Sequence, residues 1–197
     1  MNLKRTSEND PITVDFLPPE QVSYPGQIGL TFAPGKKHQG MHFMWDRNLE
    51  QDLDRLRNHY HTDILVSLIE PHEFEAVQIP DLISQAQARG MLSIWFPIKD
   101  MSVPSSTEEL ILLVQQILLK AQQNQTVVIH CMGGLGRTGL VAACCLVALD
   151  YSPQEAIKIV RQTREYTIET QQQENYITEF ARAWETHLPI LSRNFRN

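Results

Sequence analysis

The segment from His130 to Gly139 reads HCMGGLGRTG, and its residue types suit chemistry on an oxyanion. It follows a β-branched apolar run, Thr126 to Ile129 (TVVI), and precedes an apolar stretch rich in Ala and Leu. Cys131 therefore stands where a buried strand would end, and Arg137, six positions on, where a helix would begin. A chain wrapping between a strand end and a helix start turns its N–H groups inward and forms an anion cradle. The glycines at 133, 134 and 136 allow that backbone to approach a bound group closely. The planar guanidinium of Arg137 can grip two phosphate oxygens at once. Met132, Gly133, Gly134, Leu135, Gly136 and Arg137 are thus the expected phosphate-binding loop. A sulfur at the floor of so positive a hollow is held as thiolate, the form that acts as a nucleophile. Thr138 is expected to donate a hydrogen bond to that sulfur. His130 is expected to fix the loop as a structural residue, through its ring nitrogens.

Other readings of the same residues fall short. Gly134-Leu-Gly136-Arg-Thr-Gly139 matches the G-x-G-x-x-G fingerprint of dinucleotide sites. That fingerprint needs a second parallel strand after the helix. Here Ser152-Pro153 leads straight into another helical pattern. The nucleoside-triphosphate loop needs a Gly at its start and Lys before Ser/Thr, and Cys131 and Arg137 hold those positions. Cys144 and Cys145 lie inside the apolar helix and read as core packing.

The elements that must position this loop follow from periodicity and punctuation. Ile28 to Phe32 reads as a strand closed by Pro34-Gly35. Asn48 to Asn58 has Leu49, Leu53 and Leu56 at helical spacing. Asp63 to Ile69 reads as a buried strand, Pro80 to Arg89 as a helix ended by Gly90, and Met91 to Phe96 as a strand. Ser106, followed by Glu109, opens a helix to Gln122. Arg137 to Asp150 reads as a core helix. Ser152-Pro153 caps another through Gln162, and Gln171 to His187 is the last. Strands alternate with helices and the C-terminal third is helical, so the fold class is α/β, with a mostly parallel central sheet flanked by helices. Ligands of such sheets sit at the strands' carboxyl ends. The expected organisation is an N-terminal arm over 1–27, one domain over 28–187 and a tail over 188–197.

Bulk properties bound the rest. The chain has 197 residues, 42% of them hydrophobic and 20% charged, as in an ordinary globular domain. Three cysteines make no disulfide framework, which points to a reducing compartment, the cytoplasm. No apolar run is long enough for a membrane span. A net charge of −6 argues against partners such as nucleic acid or an anionic membrane.

HCMGGLGRTG resembles the H-C-x5-R-[ST]-G signature of the cysteine-dependent protein tyrosine and dual-specificity phosphatases. GGLGR followed by LVAAC, SPQEAI in the next helix, the early turn LTFAPGKK and the segment Phe96-Pro97-Ile98-Lys99-Asp100 extend the likeness. Together they resemble the kinase-associated phosphatase group, the cyclin-dependent kinase inhibitor 3 family, over roughly Ile28 to Trp184. The resemblance implies a sheet of about five strands and a phosphoprotein phosphatase. It implies a two-step reaction through a cysteinyl-phosphate, with no metal and no organic cofactor.

It also implies an acid on the loop before the long helix, where Asp100 is the candidate; Asp46, Asp63 and Asp81 are weaker ones. Protonating a leaving oxygen typically gains about 10²–10⁴-fold. Trp95 lies one place further back than the tyrosine-specific pattern has it. A glutamine near the start of the last helix would place the hydrolytic water, and Gln173 matches better than Gln171 or Gln172. Arg164 reads as a surface charge more than as a support of the site. The loop interior carries no Lys, Arg or His, which favours a phosphoprotein over a polyphosphorylated lipid as substrate. A protein kinase is a possible partner. Phosphotyrosine and phosphoserine/phosphothreonine both stay open. So do two alternatives: a phosphoprotein-binding module with weak turnover, and a sulfurtransferase using a similar loop.

Overall fold

The structure, a computed structural model, describes residues 3–40 and 42–194. In chain order the elements are β1 (Leu3–Arg5), β2 (Asp15–Phe16), α1 (Pro19–Val22), β3 (Gln27–Phe32), β4 (Lys37–Gln39) and β5 (Phe43–Asp46). Then come α2 (Leu49–Asn58), β6 (Thr62–Ser67), α3 (Pro71–Ala76), α4 (Leu82–Ala88), β7 (Leu92–Trp95) and α5 (Thr107–Gln122). The chain continues through β8 (Thr126–Cys131), α6 (Gly136–Val147), α7 (Pro153–Thr163) and α8 (Gln171–Asn194).

The central sheet has five strands in the order β2-β3-β8-β6-β7. All of its pairings are parallel except β2 with β3. This is the α/β architecture expected from the alternation of strands and helices. β8 runs through the middle with all six residues buried, as a β-branched run with sheet on both sides requires. The register pairs Phe32 with Cys131 and Ser67 with His130. The carboxyl ends of β3, β8 and β6 therefore meet at the cysteine. Helices α5 and α6 pack on β3 and β8, with α7 and α8 behind α6; α2 and α4 pack on β6 and β7. Every residue of α6 is buried, which accounts for the apolar or small side chains that follow Arg137.

Helix starts are where sequence and structure agree most closely. Asn48 and Ser106 accept hydrogen bonds from the backbone N–H of Gln51 and Glu109. Ser152 and Glu155 form a reciprocal capping box.

Three features lay beyond the reach of sequence patterning. The segment read as an arm carries β2 and α1, and it buries Ile12, Val14, Leu17 and Val22 against the core. Its Pro, Asp and Glu content conceals four apolar anchors spaced too irregularly to show a period. Strands β1, β5 and β4 make a separate three-stranded sheet. Helix α3 is only six residues long, too short for a periodicity to register, and is held by a capping box of Glu70 and Glu73. At the other end, α8 continues past His187 to Asn194, into the stretch read as a tail.

Candidate active site

Cys131 is the last residue of β8 and is 3% exposed. The loop after it turns back so that the Gly134 N–H donates to Cys131 Sγ at 3.2 Å. Gly134 has φ +71°, and a Cβ there would lie 2.3 Å from the Thr31 carbonyl oxygen. Only glycine fits both constraints. The Thr138 hydroxyl, expected to reach the sulfur, is buried and makes no hydrogen bond among the described residues. The sulfur's contact is with the loop amide instead.

Arg137 enters from the first turn of α6, 1% exposed. Glu73 of α3 holds it bidentately, with Nη1 to Oε2 at 2.6 Å and Nη2 to Oε1 at 2.9 Å. Nη1 also donates to the Ile98 carbonyl at 3.0 Å. Nε is buried with no partner among the described residues. Burial alone would lower the guanidinium pKa, but the Glu73 hydrogen bonds and the charges of Cys131, Glu73 and Asp100 outweigh it and raise it. Burial works on Glu73 in the opposite sense, and the Arg137 pair with the Glu70 N–H leaves that carboxyl below its usual range. Glu73 was missed because its helix was missed; the Glu70-Pro71-x-Glu73 capping pattern was the available signal.

Asp100 stands at the mouth of the site, its side chain 60% exposed, with Oδ1 2.9 Å from Arg137 Nη2. Its backbone N–H donates to Glu70 Oε2 at 3.3 Å. The other aspartates lie elsewhere. Asp46 pairs with Lys4, Asp63 pairs with Arg57 at the opposite end of β6, and Asp81 precedes α4.

His130 is fully buried. Its Nε2 lies 2.7 Å from Ser67 Oγ and its Nδ1 3.2 Å from the Cys131 carbonyl. A carbonyl only accepts, so Nδ1 carries the proton and Nε2 accepts from the serine. Burial, ahead of every other influence, lowers the imidazole pKa to about 4. Both ring nitrogens are thus taken up by Ser67 and the Cys131 carbonyl.

Gln173 is buried, whereas Gln171 and Gln172 are exposed. Its Oε1 accepts from the Glu169 and Thr170 N–H groups at 2.9 and 3.4 Å, and its Nε2 donates to the Ser102 carbonyl at 3.1 Å. It thus ties α8 to the segment after Asp100. Glu169, which no sequence pattern singled out, accepts from the Gly136 N–H at 2.8 Å. Arg164 is not a free surface charge. Its Nε and Nη2 donate to the Gly134 and Gly133 carbonyls at 2.8 and 3.4 Å, and its Nη1 pairs with Asp15 of β2 at 2.5 Å. Lys36 donates to the Met132 carbonyl at 3.1 Å. Cys144 and Cys145 are fully buried within α6, and burial raises both thiols, Cys145 to about 12. That suits packing residues rather than redox partners.

The profile of the cyclin-dependent kinase inhibitor 3 family matches residues 4–157. The chain belongs to that family. The cyclin-dependent kinase inhibitor 3 of Sus scrofa is 33% identical over 186 residues, covering 92% of this chain and 84% of the relative. The Homo sapiens protein is 31% identical over the same shares. Among solved structures, a kinase associated phosphatase with its catalytic site cysteine changed to serine superposes with a TM-score of 0.81 at 27% identity. It covers 89% of this chain and 97% of that one. The active form of Tk-PTP gives 0.68 at 27% identity, with 86% and 96% covered. As a member of this family the chain is a cysteine-based phosphatase of the protein tyrosine and dual-specificity superfamily.

Proposed function

We propose that Cys131 is the nucleophile, Arg137 the phosphate clamp and Asp100 the acid in the hydrolysis of a phosphorylated protein side chain. The observation that carries this reading is a buried guanidinium with Nε unpaired, beside a buried sulfur already bonded to an inward-facing amide. Phosphate oxygens would take the amides of residues 132–137 and the free side of Arg137. The sulfur attacks phosphorus and the P–O ester bond breaks. Asp100 gives its proton to the departing oxygen, which its exposed place at the mouth of the site supports. Water then attacks phosphorus, the S–P bond breaks with its pair returning to sulfur, and the Asp100 carboxylate takes the water's proton.

For this second step, Gln173 is the one of the three glutamines that borders the loop. One Nε2 hydrogen is used on the Ser102 carbonyl, and the other is proposed to hold the water. Thr138 is proposed to help at the sulfur once the loop adjusts to phosphate; a buried hydroxyl without a partner favours that.

The substrate reading is a phosphoprotein, with a kinase phosphothreonine as the finer assignment. The family kinship supports it, as does a loop interior without basic side chains. We assign the protein to the cytoplasm, a reducing compartment suited to its three free cysteines. No described helix is long and apolar enough to cross a membrane. We take 28–187 as the phosphatase domain, braced by the segment before it.

A panel of phosphotyrosine, phosphothreonine and phosphoserine peptides, run on wild type and Cys131→Ser, tests the reading. Hydrolysis by wild type alone supports it. Tight phosphopeptide binding without hydrolysis by wild type would instead assign a binding module.

A further inference from the structure

Lys36 lies just after β3, and no step above uses it. It is 4% exposed. Its Nζ sits over two aromatic faces, 4.0 Å from the Trp45 ring centroid and 4.7 Å from that of Phe32. A lysine is seldom buried this deeply without a specific partner. Here the hydrogen-bond partner is the Met132 carbonyl oxygen, 3.1 Å away on the outer side of the phosphate loop.

A trans peptide unit points its C=O and N–H in opposite directions. The Met132 carbonyl and the Gly133 N–H belong to one such unit. A donor that pulls the carbonyl outward therefore turns the Gly133 N–H toward the anion hollow. We propose that Lys36 is a positioning residue for the phosphatase reaction, holding the first peptide of the loop in its anion-binding orientation and adding positive charge behind the Cys131 sulfur.

Two independent features support this. The Ala33 N–H reaches the same Met132 carbonyl at 3.3 Å, so two donors share the oxygen and Lys36 supplies the shorter, charge-assisted bond. The second is electrostatic. Burial lowers Lys36 to about 7, and the Cys131 charge acts against that fall. The other charged groups acting on Lys36 are Arg47 and Arg164, which lower it further, and Asp52, which raises it. His38, on the following strand, is itself lowered by burial and by the Lys36 charge. A charge at Cys131 therefore favours the ammonium across the loop backbone.

The inference rests on the reading of Cys131 as nucleophile, and the two fail differently. If Cys131→Ser retains turnover, that reading falls; the Lys36 role is judged on variants that keep Cys131. Lys36→Met keeps the apolar stem and removes the nitrogen. The experiment measures kcat and KM for an aryl phosphate from pH 5 to 9, inorganic phosphate binding, and the pH dependence of Cys131 alkylation by iodoacetate. Cys131→Ser serves as the alkylation blank.

The expected result is a loss of about tenfold in kcat/KM, the scale of one charged hydrogen bond. Phosphate should bind more weakly, and alkylation should shift to higher pH. Lys36→Arg, which keeps a cation and donors over Trp45, should recover part of the loss. A Lys36→Met protein that folds with wild-type Tm and keeps its kcat/KM, phosphate affinity and alkylation profile would overturn the proposal. Should Lys36→Met not fold, the shorter polar Lys36→Gln is measured in the same three ways. The same losses in it would support the proposal, and an unchanged profile would overturn it.

Discussion

Glu73 holds both terminal nitrogens of Arg137, at 2.6 and 2.9 Å, from a helix that lies 64 residues earlier in the chain. The pair is almost completely buried, with side-chain exposures of 4% and 1%. It fixes the plane of the guanidinium and leaves Nε facing away from the carboxylate. On the proposed reading of Arg137 as the phosphate clamp, the fork is oriented before phosphate arrives, so little guanidinium freedom is left to lose on binding.

Glu73→Gln should damage stability and catalysis together. It removes the buried counter-charge and leaves only the exposed Asp100 carboxylate beside the guanidinium; breaking such a buried pair typically costs about 3–5 kcal/mol. Urea unfolding should show a lower midpoint with an unchanged slope. The kcat/KM for an aryl phosphate should fall as the fork loses its orientation. Full activity at reduced stability would reduce Glu73 to a structural partner.

Asp100→Asn should separate leaving groups. An alkoxide needs its proton far more than a good aryl leaving group does, so the loss should approach the ~10²–10⁴-fold scale of acid catalysis only for alkyl phosphates. Phosphoenzyme formation, followed by rapid quench on both substrate classes, measures this. Equal losses on both would move the acid elsewhere.

Glu169→Gln should tighten phosphate binding. The carboxylate now occupies the Gly136 N–H, so an arriving phosphate meets an anion already seated on one loop amide. Glu169 is exposed, so solvent screens the repulsion and the gain should be only about two- to fivefold. Titration of Cys131→Ser with inorganic phosphate, in the presence and absence of the second substitution, reads it. Weaker binding in the double variant would mean that Glu169 helps to build the cradle.

The loop itself was legible because its chemistry is local: a cysteine, glycines and an arginine within seven residues, bounded by a β-branched run and an apolar helix. The same holds for the caps at Asn48, Ser106 and Ser152, where side chain and bonded N–H lie three residues apart. The parts that escaped are nonlocal. Glu73, Lys36 and Arg164 reach the site from separate elements, and only the sheet order brings them together. Nothing in the neighbourhood of Arg164 distinguishes it from a solvated charge until Asp15 and the loop carbonyls are seen around it. Gln173 could be chosen over Gln171 and Gln172 from the resemblance, but its burial depends on how α8 meets α6.

His130 should make the protein sensitive to mild acid. The folded imidazole stays neutral down to about 4, whereas the unfolded one takes up its proton near 6.5. Between those values the unfolded state binds more protons, so stability rises with pH and is lost on acidification through that window. The slope should be roughly 1 kcal/mol per pH unit from this residue alone. His130→Asn, with urea unfolding repeated from pH 7 to 4, should show a flatter profile. Glu73 contributes in the same direction only at lower pH, as its carboxyl begins to protonate below the ordinary value of 4.5. An unchanged slope in the variant would show that the imidazole is charged in the folded state.

Gly134→Ala should dismantle the cradle while leaving the fold in place. The added methyl meets the Thr31 carbonyl carbon and oxygen and the Phe32 nitrogen at 2.3–2.7 Å, all of them backbone atoms of β3 that cannot swing aside. The φ of +71° adds a further cost for any residue with a Cβ. The loop must therefore move off the strand and take the Gly134 N–H away from the Cys131 sulfur. Phosphate affinity and turnover should both collapse, while far-UV circular dichroism stays close to wild type because β8 and α6 are held by their own packing. Gly133→Ala is the control. A Cβ there would have only the Leu135 side chain nearby, at 3.8 Å or more, so activity should stay within a few-fold of wild type. If Gly133→Ala proved as damaging as Gly134→Ala, the close approach to Thr31 would not be what shapes this loop.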